Sequence, residues 1–359
     1  MDETKYKRIA IIRLTALGDI IHALPAFALL REAFPQSKIC WLVEPAGAKL
    51  LENFTGIDEI IIVDLKRNGF FSKLKEVRRI RYLYGKKGNF DLVLDFQGLL
   101  KSAVLAVLLR GGVSVGFNKR NLKEPLARFF YKRSVDVFDE ANHVAIKNIH
   151  LADFAGDLSA RRLRPDNQGK IDWDKINIPL RDLSYMQEEV EQFLAAHRLE
   201  KNNFLVLNVG GGWETKLLSL QQYIEVINGI KDKYPVVVLW GNEKEKTTAE
   251  EICRETGAAL ADFFNFSQLI VFLRYARLVV TGDTLALHLA DLVKTPSVGI
   301  FGPTSPYRNG SLLEDSISVF EKLSCGFCYK KKCGTIECIK KINTKNIIES
   351  IETLYEKLY

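Results

Sequence analysis

Short apolar runs that alternate with longer amphipathic stretches leave this chain few folds to choose from. Arg8–Leu14, Lys38–Val43, Glu59–Asp64, Asp91–Phe96 and Val113–Phe117 read as strands in the first half. Phe204–Val209, Pro235–Trp240, Leu278–Thr281 and Pro296–Phe301 read as strands in the second. The runs are nearly continuous in apolar residues, as strands buried on both faces are. Between them, Ile20–Ala33, Leu100–Leu109, Ser184–His197 and Leu220–Lys233 show the spacing of helices with one buried face. Strands and helices alternating in this way build parallel sheets covered on both sides, an α/β fold.

The alternation breaks at Asp157–Pro179, where Arg161–Gly169 reads as exposed linker. With 359 residues the chain has room for two ordinary domains. The expectation is two Rossmann-like, doubly wound domains facing a central cleft, residues 1–175 and 176–342. An amphipathic C-terminal helix, 343–359, follows them, with Ile347, Ile348, Ile351, Leu354, Tyr355 and Leu358 at helical spacing. Ligands of such sheets bind beyond the carboxyl ends of the strands.

The net charge of +7 matters less than where it lies. Basic residues gather at Lys66-Arg67, from Lys73 to Arg81 and from Lys119 to Arg133, all in the first half. Each cluster alone reads as a solvated face; together they point to an anionic partner, such as acidic lipid head groups, a membrane surface or nucleic acid. There is no apolar run of about 18 residues, so no membrane span is expected. The polar start Met1–Lys5 does not read as a signal peptide, and a cytoplasmic protein is expected.

Four strand ends carry chemistry. After the first strand, Gly18 permits a tight turn and Asp19 opens a helix, either as a plain N-cap or as a carboxylate able to act as general base. The pattern G-x-G-x-x-G is absent, which disfavours a dinucleotide oxidoreductase. Gly210, Gly211 and Gly212 let a ligand approach the backbone, and Lys216 can neutralise phosphate. Glu243, after Trp240-Gly241-Asn242, reads either as a partner for ribose hydroxyls or as a surface acid at a helix start. Thr281-Gly282-Asp283-Thr284 leads from a strand into a helix carrying His288, an arrangement suited to an anion. Phe301-Gly302-Pro303-Thr304 closes the next strand. Phe263, Phe264 and Phe266 read as core. These features in one domain match a nucleoside diphosphate better than any one alone. Cys325, Cys328, Cys333 and Cys338 follow the pattern C-x2-C-x4-C-x4-C, a weak candidate for a metal knuckle and otherwise a structural loop.

The chain resembles the ADP-heptose:lipopolysaccharide heptosyltransferases of glycosyltransferase family 9 over nearly its whole length. The resemblance rests on Leu17–Pro25, Asp95–Ala103, Lys123–Ala127 with Phe130-Tyr131, Trp240–Glu243, Asp283-Thr284 with His288-Leu289, and Phe301–Thr304. Gln97–Lys101 points to the branch that adds the first heptose to the Kdo residues of lipid A. The resemblance implies a GT-B fold, an N-terminal acceptor domain, a C-terminal ADP-sugar domain and a final helix that packs back toward the first domain. It implies inverting, metal-independent transfer at the cytoplasmic face of the inner membrane, with ADP-heptose as donor substrate and no cofactor. Asp19 takes the place of the catalytic base. Gly211, Gly212, Lys216, Glu243, Phe264, Asp283, Thr284, Leu285 and His288 fall at donor-binding positions. Lys66, Arg67, Lys101, Arg120, Lys123 and His143 are the acceptor candidates. Leu285 stands where the family usually has glycine. The competing readings are another family 9 transferase, adding a later heptose or using a different nucleotide sugar, and a non-catalytic nucleotide- or nucleic-acid-binding protein. No aromatic-basic stripe supports the last.

Overall fold

A computed structural model describes residues 5–65, 75–82, 89–109, 112–156 and 176–357. The chain divides into two compact units, Met1–Arg181 and Asp182–Tyr359. The first unit therefore runs a few residues past the expected boundary.

The first unit is a six-stranded sheet of β1 (Arg8–Ile12), β2 (Lys38–Val43), β3 (Glu59–Ile62), β4 (Leu92–Asp95), β5 (Val113–Gly116) and β6 (Arg133–Ser134). Its order is β3-β2-β1-β4-β5-β6, and its pairings are parallel. The second unit repeats the plan with β7 (Leu205–Asn208), β8 (Val236–Leu239), β9 (Ala259–Leu260), β10 (Leu278–Gly282), β11 (Ser297–Phe301) and β12 (Ile317–Phe320). Its order, β12-β11-β10-β7-β8-β9, is the same winding read from the other edge. Both sheets are doubly wound, as the alternation of elements requires. Each reverses direction at one point, between β1 and β4 in the first unit and between β7 and β10 in the second. Ligand sites of open α/β sheets form at such switch points.

All residues of β4, β7, β8 and β11 are buried, which is why their sequences show no alternation. The two-residue strands β6 and β9, and the edge strand β12, are not among the runs picked out by hydrophobicity. Two or four residues at a sheet edge carry too little pattern to stand out. The expected helix Ile20–Ala33 is instead two helices, Leu17–Ile21 and Leu24–Ala33. The second opens just ahead of Pro25, which fits only the first turn of a helix. The C-terminal helix, Thr344–Lys357, puts Ile347, Ile351, Leu354 and Tyr355 into the second unit's core beside Val226 and Ile230. Its apolar stripe is thus spent on that unit's own sheet and helices.

Candidate active site

In the second unit the switch point is held by a polar network. Asn208, the last residue of β7, is buried. Its Nδ2 donates to Thr281 Oγ1 at 3.0 Å and Thr284 Oγ1 at 3.1 Å, and its Oδ1 accepts from the Gly210 amide at 3.2 Å. One side chain thus fastens the glycine turn after β7 to the turn after β10. Thr284 does not cap the helix Leu285–Leu292, because its hydroxyl is spent on Asn208 and Thr281. Among the described residues no side chain takes up its first amide donors.

Lys216 reaches the same place. Its Nζ donates to Asp283 Oδ2 at 2.8 Å and to the Asp283 carbonyl at 2.9 Å, and it lies 4.4 Å from the centre of the Trp213 ring. An ammonium has three N–H donors, so one remains for a ligand. Asp283 is buried, with His288 Nε2 3.3 Å from its other oxygen. Burial alone would push the Asp283 carboxyl up; the hydrogen bond to His288 and the charge of Lys216 outweigh it and hold the group well below the usual carboxylate range. Asp283 therefore acts as a fixed negative charge that orients Lys216.

The glycines of the turn do different jobs. A Cβ on Gly211 would stand 2.8 Å from Leu217 Cδ2, whereas one on Gly212 would meet nothing within 4 Å. A side chain at Gly211 would have to push the end of Leu217 aside. Gly212 leaves open space.

In the first unit the turn after β1 is held from the turn after β4. Gln97 Oε1 accepts from the amides of Leu14 and Thr15 at 3.0 and 3.1 Å. Asp95, fully buried, accepts from the Gln97 and Gly98 amides and, at 2.6 Å, from the Tyr131 hydroxyl. Burial pushes the Asp95 carboxyl up against the pull of these hydrogen bonds. Asp19 is the third residue of its helix, and its Oδ2 accepts from the Ala16 amide at 3.1 Å. The Arg13 guanidinium, buried and bonded to the Phe96 carbonyl, lies 2.7 Å from Asp19 Oδ1. Asp19 is a third exposed, so its carboxylate is fixed on one side and open on the other.

A model for glycosyltransferase family 9 (heptosyltransferase) matches residues 81–338. The chain belongs to this family. It is 29% identical over 313 residues to lipopolysaccharide heptosyltransferase 1 of Campylobacter coli, covering 84% of this chain and 86% of that protein. The solved family 9 glycosyl transferase of Veillonella parvula matches with a TM-score of 0.78 at 21% identity, covering 98% of both chains. Escherichia coli heptosyltransferase WaaC with ADP-2-deoxy-2-fluoro heptose matches with a TM-score of 0.72 at 21% identity, covering 96% of this chain and 99% of that one. The shared fold is GT-B, as the resemblance implied.

In this heptosyltransferase the other residues singled out by sequence separate into groups. Gly211, Gly212, Lys216, Asp283, Thr284 and Leu285 all fall at the switch point of the second unit. His288 lies in the same place but is buried behind Asp283. Glu243 is exposed, at the first position of the helix Glu243–Thr256. Glu245, passed over in the sequence, ties that strand end to the glycine turn by accepting from the Gly211 and Gly241 amides at 3.1 and 2.8 Å. Phe264 packs on Phe193 and Phe272, at 5.5 and 4.7 Å between ring centres. Its neighbour Phe263 is 64% exposed and lies 5.6 Å from Trp240 at the end of β8. Phe263, not Phe264, presents the open ring face.

Lys101 pairs with Glu44 at 3.4 Å. Arg120 and Lys123 are exposed after β5. His143 is buried, with its ring 5.0 Å from that of His22. Lys66 and Arg67 lie outside the described residues. The cysteine segment is anchored over the turn after β11: Tyr329 donates its amide to the Pro303 carbonyl at 2.8 Å, and Thr215 donates to the Lys330 carbonyl at 3.0 Å. Cys325, Cys328 and Cys333 face solvent as free thiols while Cys338 turns inward, and no group of three or more His, Cys, Asp or Glu among the described residues is arranged to hold a metal. What the segment does bring to the site is Lys331, 5.2 Å from the Trp213 ring.

Proposed function

We propose that this heptosyltransferase moves a heptose from ADP-L-glycero-D-manno-heptose to the Kdo region of lipid A in lipopolysaccharide core synthesis. The second unit binds the donor and the first binds the acceptor. The observation that carries the reading is the Lys216–Asp283 pair beside the uncapped helix start at Thr284. A preformed cation and oriented amide donors suit the charge that grows on a departing ADP. That stabilisation requires no metal, and metal-independent transfer is part of the proposal.

Asp19 accepts the proton of the attacking sugar hydroxyl, and a single displacement inverts the anomeric centre. The hydroxyl oxygen forms its bond to the anomeric carbon as the bond to the ADP oxygen breaks. Glu243 lies at the end of β8, where a ribose hydroxyl could be bonded, and Phe263 offers a ring for the adenine. Lys101, Arg120 and Lys123, with Lys66 and Arg67, supply positive charge for the Kdo carboxylates and the lipid A phosphates. The enzyme works from the cytoplasm, against the inner membrane.

Incubation with ADP-heptose and Kdo2-lipid A, with and without a chelator, tests this. Release of ADP and a heptose-bearing product, unchanged by the chelator, is expected. No transfer in either condition sinks the reading. Transfer only to an acceptor that already carries a heptose moves the chain to a later step of core assembly.

A further inference from the structure

In the first unit, the helix Leu100–Leu108 and the 3₁₀ segment Pro125–Phe130 pack against each other, and Ala103, Ala106 and Ala127 on them are buried. Their outer sides do the opposite of what a water-facing surface does. Leu126 is 61% exposed and Phe129 74%. In a 3₁₀ helix residues three apart eclipse, so both side chains stand on one face. On the neighbouring helix Val104 and Val107, also three apart, are exposed. Four apolar side chains of the described residues thus lie exposed on two adjoining elements.

The surroundings are cationic. The segment from Lys119 to Arg133 holds six Lys and Arg residues against one acid, Glu124. That acid is spent on the Leu100 amide, 2.6 Å away. Lys119, Arg120 and Lys123 are exposed and form no ion pair among the described residues. Apolar side chains that project from a short helical segment ringed by Lys and Arg match an anionic bilayer. The apolar groups enter the acyl boundary while the cations meet lipid phosphates. A protein partner would need acidic side chains at the same radius, whereas an anionic membrane offers that charge everywhere on its plane. No described helix is long and apolar enough to cross a membrane, so contact with one has to be made from a surface.

We propose that the face formed by Leu126, Phe129, Val104 and Val107, with Lys119, Arg120 and Lys123 around it, docks this protein on an anionic lipid bilayer. This rests on the reading above only for its purpose, which is to bring the first unit to an acceptor held in the membrane. The cations give a salt-sensitive approach, and Leu126 and Phe129 give insertion.

The full chain should sediment with vesicles of mixed phosphatidylethanolamine and phosphatidylglycerol, not with phosphatidylcholine alone, and should be released as salt rises. The double variant L126S/F129S should melt as the wild type does and lose roughly tenfold or more of its vesicle affinity. A Phe129→Trp variant should shift its emission to the blue on adding the anionic vesicles. Vesicle binding by L126S/F129S equal to wild type, or no blue shift, overturns the proposal. Loss of self-association in place of vesicle binding overturns it in favour of an interface between copies. Transfer to an acyl-free Kdo acceptor separates the two readings. If it is intact in L126S/F129S while transfer to vesicle-borne acceptor falls, both stand. Vesicle binding without transfer to either acceptor sinks the proposed activity and leaves the docking face.

Discussion

Lys216 Nζ and Asp283 Oδ2 meet at 2.8 Å across the switch point of the second sheet, and both side chains are largely out of water. A buried pair of this kind is costly to break from one side, because the remaining charge keeps its desolvation penalty. Lys216→Met should therefore do two things. It should lower kcat/KM by about a hundredfold, the scale seen when one preorganised donor is lost, and it should destabilise the fold by roughly 3 kcal/mol. Steady-state kinetics and chemical denaturation check both. Unchanged kinetics would remove Lys216 from the donor site.

Asp19→Asn keeps the size of the side chain and its acceptor toward the Ala16 amide, yet removes the base. Transfer should fall by about a hundredfold or more. ADP affinity, measured by calorimetry, should hold, since the ADP site is proposed in the other unit. Arg13→Lys should give a smaller loss, because an ammonium cannot hold both the Phe96 carbonyl and Asp19 in the fork that the guanidinium provides.

Asp283 gives a pH signature. Its carboxyl is held below the ordinary range when folded, so the stability it contributes is fully present above the unfolded value and is lost as pH falls through the folded one. The stability difference between wild type and Asp283→Asn should stay constant from neutral pH down to about 4 and shrink below it. A difference that grows on acidification would contradict the assignment.

Asp291 should behave in the opposite sense. Burial pushes its carboxyl up to about 6, even though Ser311 and the Leu312 amide donate to it. The folded state therefore holds this proton more tightly than the unfolded one, and stability falls as pH rises from about 4 to about 6. Asp291→Asn should remove that slope, worth roughly 3 kcal/mol, in melts across the interval.

Neighbouring phenylalanines should separate function from folding. Phe263→Ala should raise the KM for the ADP-sugar several-fold with little change in Tm, because the ring is mostly exposed. Phe264→Ala should cost about 2 kcal/mol or more, because its ring fills a cluster with Phe193 and Phe272. Reversed outcomes would return the adenine to Phe264.

The strands and the turns beyond them were legible because burial on both faces writes itself into consecutive apolar residues, as in Leu205–Asn208 and Ser297–Phe301. The turns at the two switch points followed, since Gly210–Gly212 and Asp283 stand directly after those runs and Asp19 a few residues beyond its own. The fasteners were not legible. Asn208, Gln97, Glu245 and Arg13 act on residues as far as 83 positions away, and nothing local marks a polar side chain as the partner of a distant group. Helical spacing gave no way to tell which of Phe263 and Phe264 turns outward. Nor did the sequence show that His288 stands against Asp283, the carboxylate that orients Lys216.

Tyr131 follows directly on the segment that carries Phe129, and its ring fits only because Gly116 has no side chain: a Cβ there would stand 2.3 Å from it. Its hydroxyl grips Asp95, Asp95 grips the Gln97 amide, and the Gln97 side chain grips Leu14 and Thr15, a few residues before Asp19. Every joint in this train is a hydrogen bond of 3.1 Å or less, and the central carboxylate is sealed from water. The first unit thus has a linkage from the residue next to its exposed apolar segment to the turn that precedes Asp19. On the two proposals above, docking through Phe129 would hold the proposed base Asp19 at a set height above the bilayer.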